Sequence, residues 1–140
     1  MREAFRERWL GRYLEHDPEW FYLASADGAI VGYLAGCVED PATAARFSDI
    51  GYFQVWAGYT AQYPAHLHVN VCPTARDQGL GSRLVDRFVG DLSAAGVKGV
   101  HLVTGLHSRN VAFYQRNGFV RVADIDWNGS EIVMLGRLLG

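Results

Sequence analysis

The stretch His66-Leu67-His68-Val69-Asn70-Val71-Cys72-Pro73-Thr74-Ala75-Arg76-Asp77-Gln78-Gly79-Leu80-Gly81-Ser82-Arg83-Leu84-Val85 decides how this chain is read. Residues 67–72 are mostly apolar and stop at Pro73, as a buried strand does. From Leu80 onward Leu84, Val85, Phe88, Val89 and Leu92 recur at helical spacing and predict an amphipathic helix. Between them, Gly79 and Gly81 leave two positions without a Cβ where that helix begins. A helix start carries N–H groups without intrahelical partners and the positive end of the macrodipole, so the junction can hold an anion. Glycines there let the backbone come close to phosphate oxygens. Alone, Gly-x-Gly decides little. It lacks the third glycine of the dinucleotide fingerprint and the Gly-Lys-Ser/Thr of the P-loop, and a tight turn explains it as well.

Working outward, residues 21–25 and 29–38 read as strands around the hairpin signal Asp27-Gly28. Before them, residues 2–14 suit a helix with Phe5, Trp9, Leu10 and Tyr13 on one face, ended near Asp17-Pro18. Glu39-Asp40-Pro41 breaks the second strand, and residues 42–46 suit a short helix. On the other side, Gly96 is placed to cap the central helix and residues 97–103 form the next strand. A short helix over 108–117 closes at Asn117-Gly118, and strands 119–125 and 131–139 flank Trp127-Asn128-Gly129. A strand–helix–strand unit normally joins parallel neighbours by a right-handed crossover. With hairpins on both sides, the pattern predicts an α/β fold, a mixed sheet of about six strands in one domain over 1–140.

A chain of 140 residues, 49% hydrophobic and 20% charged, is ordinary for a globular protein with one core. The net charge of −2 offers no basic surface to nucleic acid or to an anionic membrane. No apolar run approaches the roughly 20 residues of a bilayer span. The first residues mix acids with bases and resemble no signal peptide, so a cytoplasmic protein is expected. Cys37 and Cys72 read as reduced core residues. His66 and His68 alternate along the central strand and share a face with Asn70. Histidine has the right pKa for a base; a hydrogen-bonded strand histidine or half of a metal site are the alternatives. No carboxylate or cysteine is spaced to complete such a site, so no metal is expected.

Arg76-x-x-Gly79-x-Gly81, after a strand ending Val71-x-Pro73 and before an amphipathic helix, resembles the coenzyme-A motif of the GNAT superfamily of N-acetyltransferases. Further along, Phe113-Tyr114-Gln115-Arg116-Asn117-Gly118-Phe119 resembles that family's second signature, and the likeness spans residues 19–139. It implies acetyl-CoA held by its pyrophosphate on the N–H groups of Asp77, Gln78, Gly79, Leu80, Gly81 and Ser82, with Arg76 and Arg83 adding charge. The pantetheine arm would follow Val69-Asn70-Val71 in a gap toward strand 97–103, with Phe113 and Asn110 nearby. Family members often carry the asparagine earlier. Here Asn110 stands four before Tyr114, with His107 nearer the usual place.

The resemblance makes Tyr114 the acid that protonates the departing thiolate. His66-x-His68 resembles a pair in arylalkylamine N-acetyltransferases that passes the amine's proton through water, offset by one residue from the loop. Many members carry an acid on this strand; Asn70 cannot serve as a base. Trp56, Tyr59 and Tyr63, with Trp127 opposite, could wall an acceptor cleft for an apolar or cationic amine; covering the sheet's own core is the alternative.

A narrower likeness, around Tyr63-Pro64-Ala65-His66-Leu67-His68, is to bacterial relatives of the acetyltransferase-like domain of O-GlcNAc hydrolases. The family's usual strand before helix 2–14 is not evident, so its pairing would come from elsewhere, for instance a partner chain in a homodimer. These likenesses imply an acetyl-CoA-dependent N-acetyltransferase working by direct attack in a ternary complex. The acceptor would be a small-molecule primary amine, or a lysine or N-terminus of a peptide or protein. The alternative is a CoA-binding module with weak or no catalysis, kept for interaction or regulation.

Overall fold

Asp27 and Gly28 take φ of 52° and 80°, a two-residue turn that matches the twist of the strands on either side. They join β1 (Phe21–Ala26) to β2 (Ala29–Cys37). After a short helix, α1 (Ala57–Thr60), come β3 (Ala65–Val71), α2 (Leu80–Ala94) and β4 (Gly99–Gly105). The helix α3 (Asn110–Arg116) leads to β5 (Val120–Trp127) and β6 (Ser130–Leu138), joined by Asn128-Gly129 at φ 52° and 83°. These elements belong to a computed structural model that describes residues 18–42, 56–75 and 78–139. The expected helix over 2–14, all but Ala42 of that over 42–46, and the expected roles of Arg76 and Asp77 lie outside the described residues.

The sheet runs β1-β2-β3-β4-β6-β5. It is mixed, as expected: β3 and β4 are parallel, and every other neighbour is antiparallel. That one parallel pair is short. Only Ala65↔Val100 and His66↔His101 are in register, whereas β2 stays paired with β3 out to Val71 and β4 with β6 out to Gly105. Beyond His66 the two central strands part.

All five apolar positions of the helical pattern, Leu84, Val85, Phe88, Val89 and Leu92, are buried on α2. They pack with Leu34, Leu67 and Val100 of the sheet, and each such side chain contributes roughly 1.5–3 kcal/mol. Gly36 lets the helix come close, because a Cβ there would sit 2.5 Å from the Phe88 ring. The Val97 N–H reaches the Leu92 carbonyl (3.0 Å) and the Gly96 N–H that of Ser93 (3.1 Å), a Schellman cap with Gly96 at φ 79°. The cap takes up Val97, so β4 starts at Gly99 rather than at 97.

Pleating sends Leu67, Val69 and Val71 toward α2, and His66, His68 and Asn70 to the opposite face with Tyr33, their neighbour across the β2–β3 ladder. Part of that second face is covered by Tyr63, whose ring lies 2.8 Å from where a Gly136 Cβ would be. Gly99 makes room for the same segment.

Candidate active site

Where β3 and β4 part, a cleft of about 570 Å³ opens. Val69, Asn70 and Val71 form its strand side, and Gly79, Leu80, Gly81 and Ser82 bring the start of α2. The third side is α3, with Arg109, Asn110, Ala112, Phe113 and Arg116. Parallel strands that diverge at their C-terminal ends, beside a helix N-terminus, make a natural ligand crevice.

The two glycines of the loop do different work. Gly79 takes φ 76°, a left-handed conformation, and provides no capping side chain, while its carbonyl accepts from the Arg83 N–H at 3.0 Å. The helix has no acceptor of its own for its first N–H groups, so they remain for a ligand in the cleft. Gly81 makes a close approach instead: a Cβ there would lie 3.1 Å and 3.2 Å from two atoms of the Phe113 ring. The two sequence signatures therefore touch, Phe113 of the second resting on Gly81 of the first.

Tyr114 follows Phe113 and is 4% exposed, set edge-on to Phe113 and Phe119. Its helix ends in another Schellman cap: Phe119 N–H to Tyr114 carbonyl (3.0 Å) and Gly118 N–H to that of Gln115 (3.2 Å). Gly118 has φ 87°, and the Arg137 guanidinium beside it donates to the Asn117 carbonyl at 2.8 Å. Burial pushes the Tyr114 phenol well above its ordinary pKa, and the neighbouring Val69 backbone amide offsets this only in part. The hydroxyl thus stays protonated, alongside the strand that borders the cleft.

The histidines separate by depth. His66 and His101 are buried where the strands still pair, their rings 5.5 Å apart. The His101 Nδ1 lies 2.5 Å from the Tyr63 carbonyl, and burial brings its pKa down to about 4, against smaller opposing contributions from backbone groups and Asp40. His68 is one pleat further, past the point of divergence and partly open; burial lowers its pKa. His68 directly precedes Val69 of the cleft wall, but His66, His68 and Tyr114 are not themselves among the lining residues.

Other expected positions fall differently. Gln78 is exposed and outside the cleft lining. Trp56 is fully buried, edge-on to Tyr59, and Tyr63 is used against Gly99 and Gly136; neither borders this cleft. Tyr59 is 42% exposed, and Trp127 ends β5 at the hairpin; neither of these lines it. Tyr63 covers the sheet over Gly99 and Gly136. Cys37 is buried as expected, but Cys72 is exposed, just past the end of β3. His107 pairs with Glu131 at 3.7 Å on the surface, while Asn110 does line the cleft. Sequence reading missed Arg109, Ala112 and Arg116 as lining residues. Their spacing around Phe113, at i, i+3, i+4 and i+7 from Arg109, is the helical-face signal that could have found them.

Residues 17–121 match the family model described as an acetyltransferase (GNAT) domain. Among solved structures, SsHAT superposes with a TM-score of 0.75 at 26% identity, over 96% of this chain and 79% of that one. Naa20 of Chaetomium thermophilum, solved with a bisubstrate analogue, gives 0.71 at 22% identity over 91% and 70% of the two chains. The polyamine N-acetyltransferase of Drosophila melanogaster gives 0.73 at 16% identity over 92% and 79%. With a six-stranded mixed sheet opened between its parallel strands and a family match over most of its length, the chain belongs to the GNAT acetyltransferases, which generally use acetyl-CoA.

Proposed function

We propose that this chain is an acetyl-CoA-dependent N-acetyltransferase that moves an acetyl group to a primary amine by direct attack in a ternary complex. The observation that carries the reading is the short β3–β4 ladder, which ends at His66 and leaves a cleft between β3, the α2 start and the Phe113 face of α3. The donor-side residues fit the cofactor. First-turn N–H groups of Leu80, Gly81 and Ser82 suit a pyrophosphate, and Arg109 and Arg116 supply the positive charge that the phosphates need. Strand N–H and C=O groups from Val69 to Val71 suit the amides of the pantetheine arm. When bound, acetyl-CoA supplies an activated acyl group with a thiolate leaving group.

The chain's own residues then handle two protons. An amine arrives as ammonium, and His68, kept neutral by its lowered pKa, takes a proton from it through water. With acetyl-CoA bound, the Tyr114 hydroxyl would give its proton to the departing sulfur and recover one through water from the acylated nitrogen, which sheds its second proton to become the amide. A phenol raised by burial remains protonated for this task. A polyamine and a ribosomal-protein alanine are the acceptors named for two structural neighbours, and amines of both kinds belong in the first screen.

Asn70 favours a second reading, a CoA-binding module with weak or no catalysis, because this strand offers no carboxylate base. Acetyl-CoA consumption measured over a panel of small amines and peptides separates the two. Turnover that falls in Tyr114→Phe while acetyl-CoA affinity is kept supports the enzyme. Binding with no turnover on any acceptor leaves the module.

A further inference from the structure

The helix α3 carries Phe113 and Tyr114, yet its seven residues are too few to hold a helix by themselves. At its start an exposed bond, from the Asn110 N–H to Ser108 Oγ at 3.1 Å, adds little. Its other end is held more firmly. There the Asn117 side chain turns back and donates from Nδ2 to the Phe113 carbonyl at 2.9 Å. The Asn117 carbonyl in turn accepts from Arg137 Nη1 at 2.8 Å. A Cβ on Gly118 would lie 3.3 Å from Cζ, Nε and Nη1 of Arg137 alike, which sets the guanidinium face-on over that glycine. A cation also suits the C-terminal end of a helix, where the macrodipole is negative.

Arg137 reaches α3 from a fixed point. On β6 it pairs with Val100 of β4, and Val100 pairs with Ala65 where the β3–β4 ladder is still closed. The end of α3 is thus tied to the closed half of the sheet, while its face borders the cleft in the open half. The same clamp brackets Tyr114. Phe113 and Phe119, on either side of the clamped turn, stand edge-on to the Tyr114 ring at 5.0 Å and 5.5 Å. The salt bridges among the described residues join Arg87, His107 and Arg121 to acids, and Arg137 is in none of them. Its guanidinium is directed at backbone instead.

We infer that Arg137 is a positioning residue for acetyl transfer, acting through Asn117 and Gly118 to fix where α3 presents Tyr114 and Phe113 to the cleft. This inference rests on the acetyl-transfer reading above. Arg137 is not among the cleft-lining residues, so its part is played at a distance. A misplacement of about 1 Å at a reacting group is enough to lower a rate by up to about a hundredfold.

Arg137→Met keeps the aliphatic stem and removes the donor, the charge and the plane. Steady-state kinetics use acetyl-CoA and the fastest acceptor among putrescine, lysine and an alanine-terminated peptide. There kcat should fall by about tenfold in Arg137→Met. In the Tyr114→Phe protein the same substitution should change kcat by less than about twofold, because the hydroxyl it positions is already gone. In the chain without acetyl-CoA, hydrogen exchange of the Gly118 and Phe119 amides should quicken by about tenfold while the α2 amides keep their rates. Should Arg137→Met fail to fold, Arg137→Lys replaces it. The charge and a donor stay, the plane over Gly118 goes, and the same non-additive loss is expected at smaller size. An unchanged kcat, an equal loss with and without the Tyr114 hydroxyl, or exchange that quickens across α2 as well overturns the positioning role and leaves acetyl transfer standing. No turnover of any of the three acceptors by the wild-type protein overturns the transfer reading and the positioning role together.

Discussion

Burial acts on Tyr114 and His68 in opposite senses, and both outcomes suit proton transfer near neutral pH. The phenol is driven up and keeps its proton; the imidazole is driven down and stays free to accept one. Tyr114→Phe should therefore lower kcat by about tenfold or more while acetyl-CoA affinity changes little, and steady-state kinetics with calorimetry checks both. For His68, the acid limb of the pH–rate profile should fall below its ordinary value of 6.5, and His68→Gln should remove that limb. A limb unchanged in the variant excludes His68 as the base. His101 gives a prediction about stability. Its pKa is about 4 in the fold and 6.5 when unfolded, so between those values the unfolded chain holds a proton that the fold refuses. Stability should thus be lost as pH falls through that window, by up to about 1.4 kcal/mol per pH unit from this residue. Urea midpoints across the window should show a shallower slope in His101→Asn.

At the scale of elements, the junction of β3 and α2 can be taken apart one glycine at a time. Gly79→Ala meets no neighbour within 4 Å, so its cost is the strain of a left-handed backbone, roughly 1 kcal/mol of stability. Gly81→Ala has an ordinary helical backbone but pushes on Phe113, so it should weaken acetyl-CoA binding by displacing the α3 wall of the cleft. Denaturant unfolding and calorimetry on both variants separate strain from displacement. Much of this junction is legible in the sequence, because period-2 and period-3.6 patterns place Leu67 and Leu84 without knowledge of distant neighbours. The contact of Gly81 with Phe113 is not legible that way, since the two residues meet only when β4 returns α3 beside α2. Gly99 and Gly136 are similar. Each looks like a weak point in a strand until β4 and β6 lie side by side and Tyr63 fills the space above them. Aromatic content around Trp56 and Tyr63 says that a surface will be covered, not which surface, so the packing of Tyr63 on Gly99 and Gly136 is legible only in the fold.

For the whole molecule, one irregularity in a continuous sheet matters most. Among the described residues five pairings hold six strands together, and of these the β3–β4 pairing alone is confined to two residue pairs. Parallel order between those strands was readable from the strand–helix–strand pattern, but the length of their ladder was not, because it depends on how α3 is seated between their ends. If acetyl-CoA occupies the resulting cleft, it stabilises the fold by mass action, about 2.7 kcal/mol at a hundredfold excess over Kd. A rise in melting temperature that grows with acetyl-CoA concentration is expected, and Arg109→Ala/Arg116→Ala should reduce it. The most direct measurement is isothermal titration calorimetry of the full chain with acetyl-CoA, wild type against that double variant. One site per chain with micromolar affinity, weakened about tenfold or more when both arginines are removed, is the expected result. No heat of binding at millimolar acetyl-CoA, or an affinity indifferent to Arg109 and Arg116, would contradict the assignment of this cleft to the cofactor.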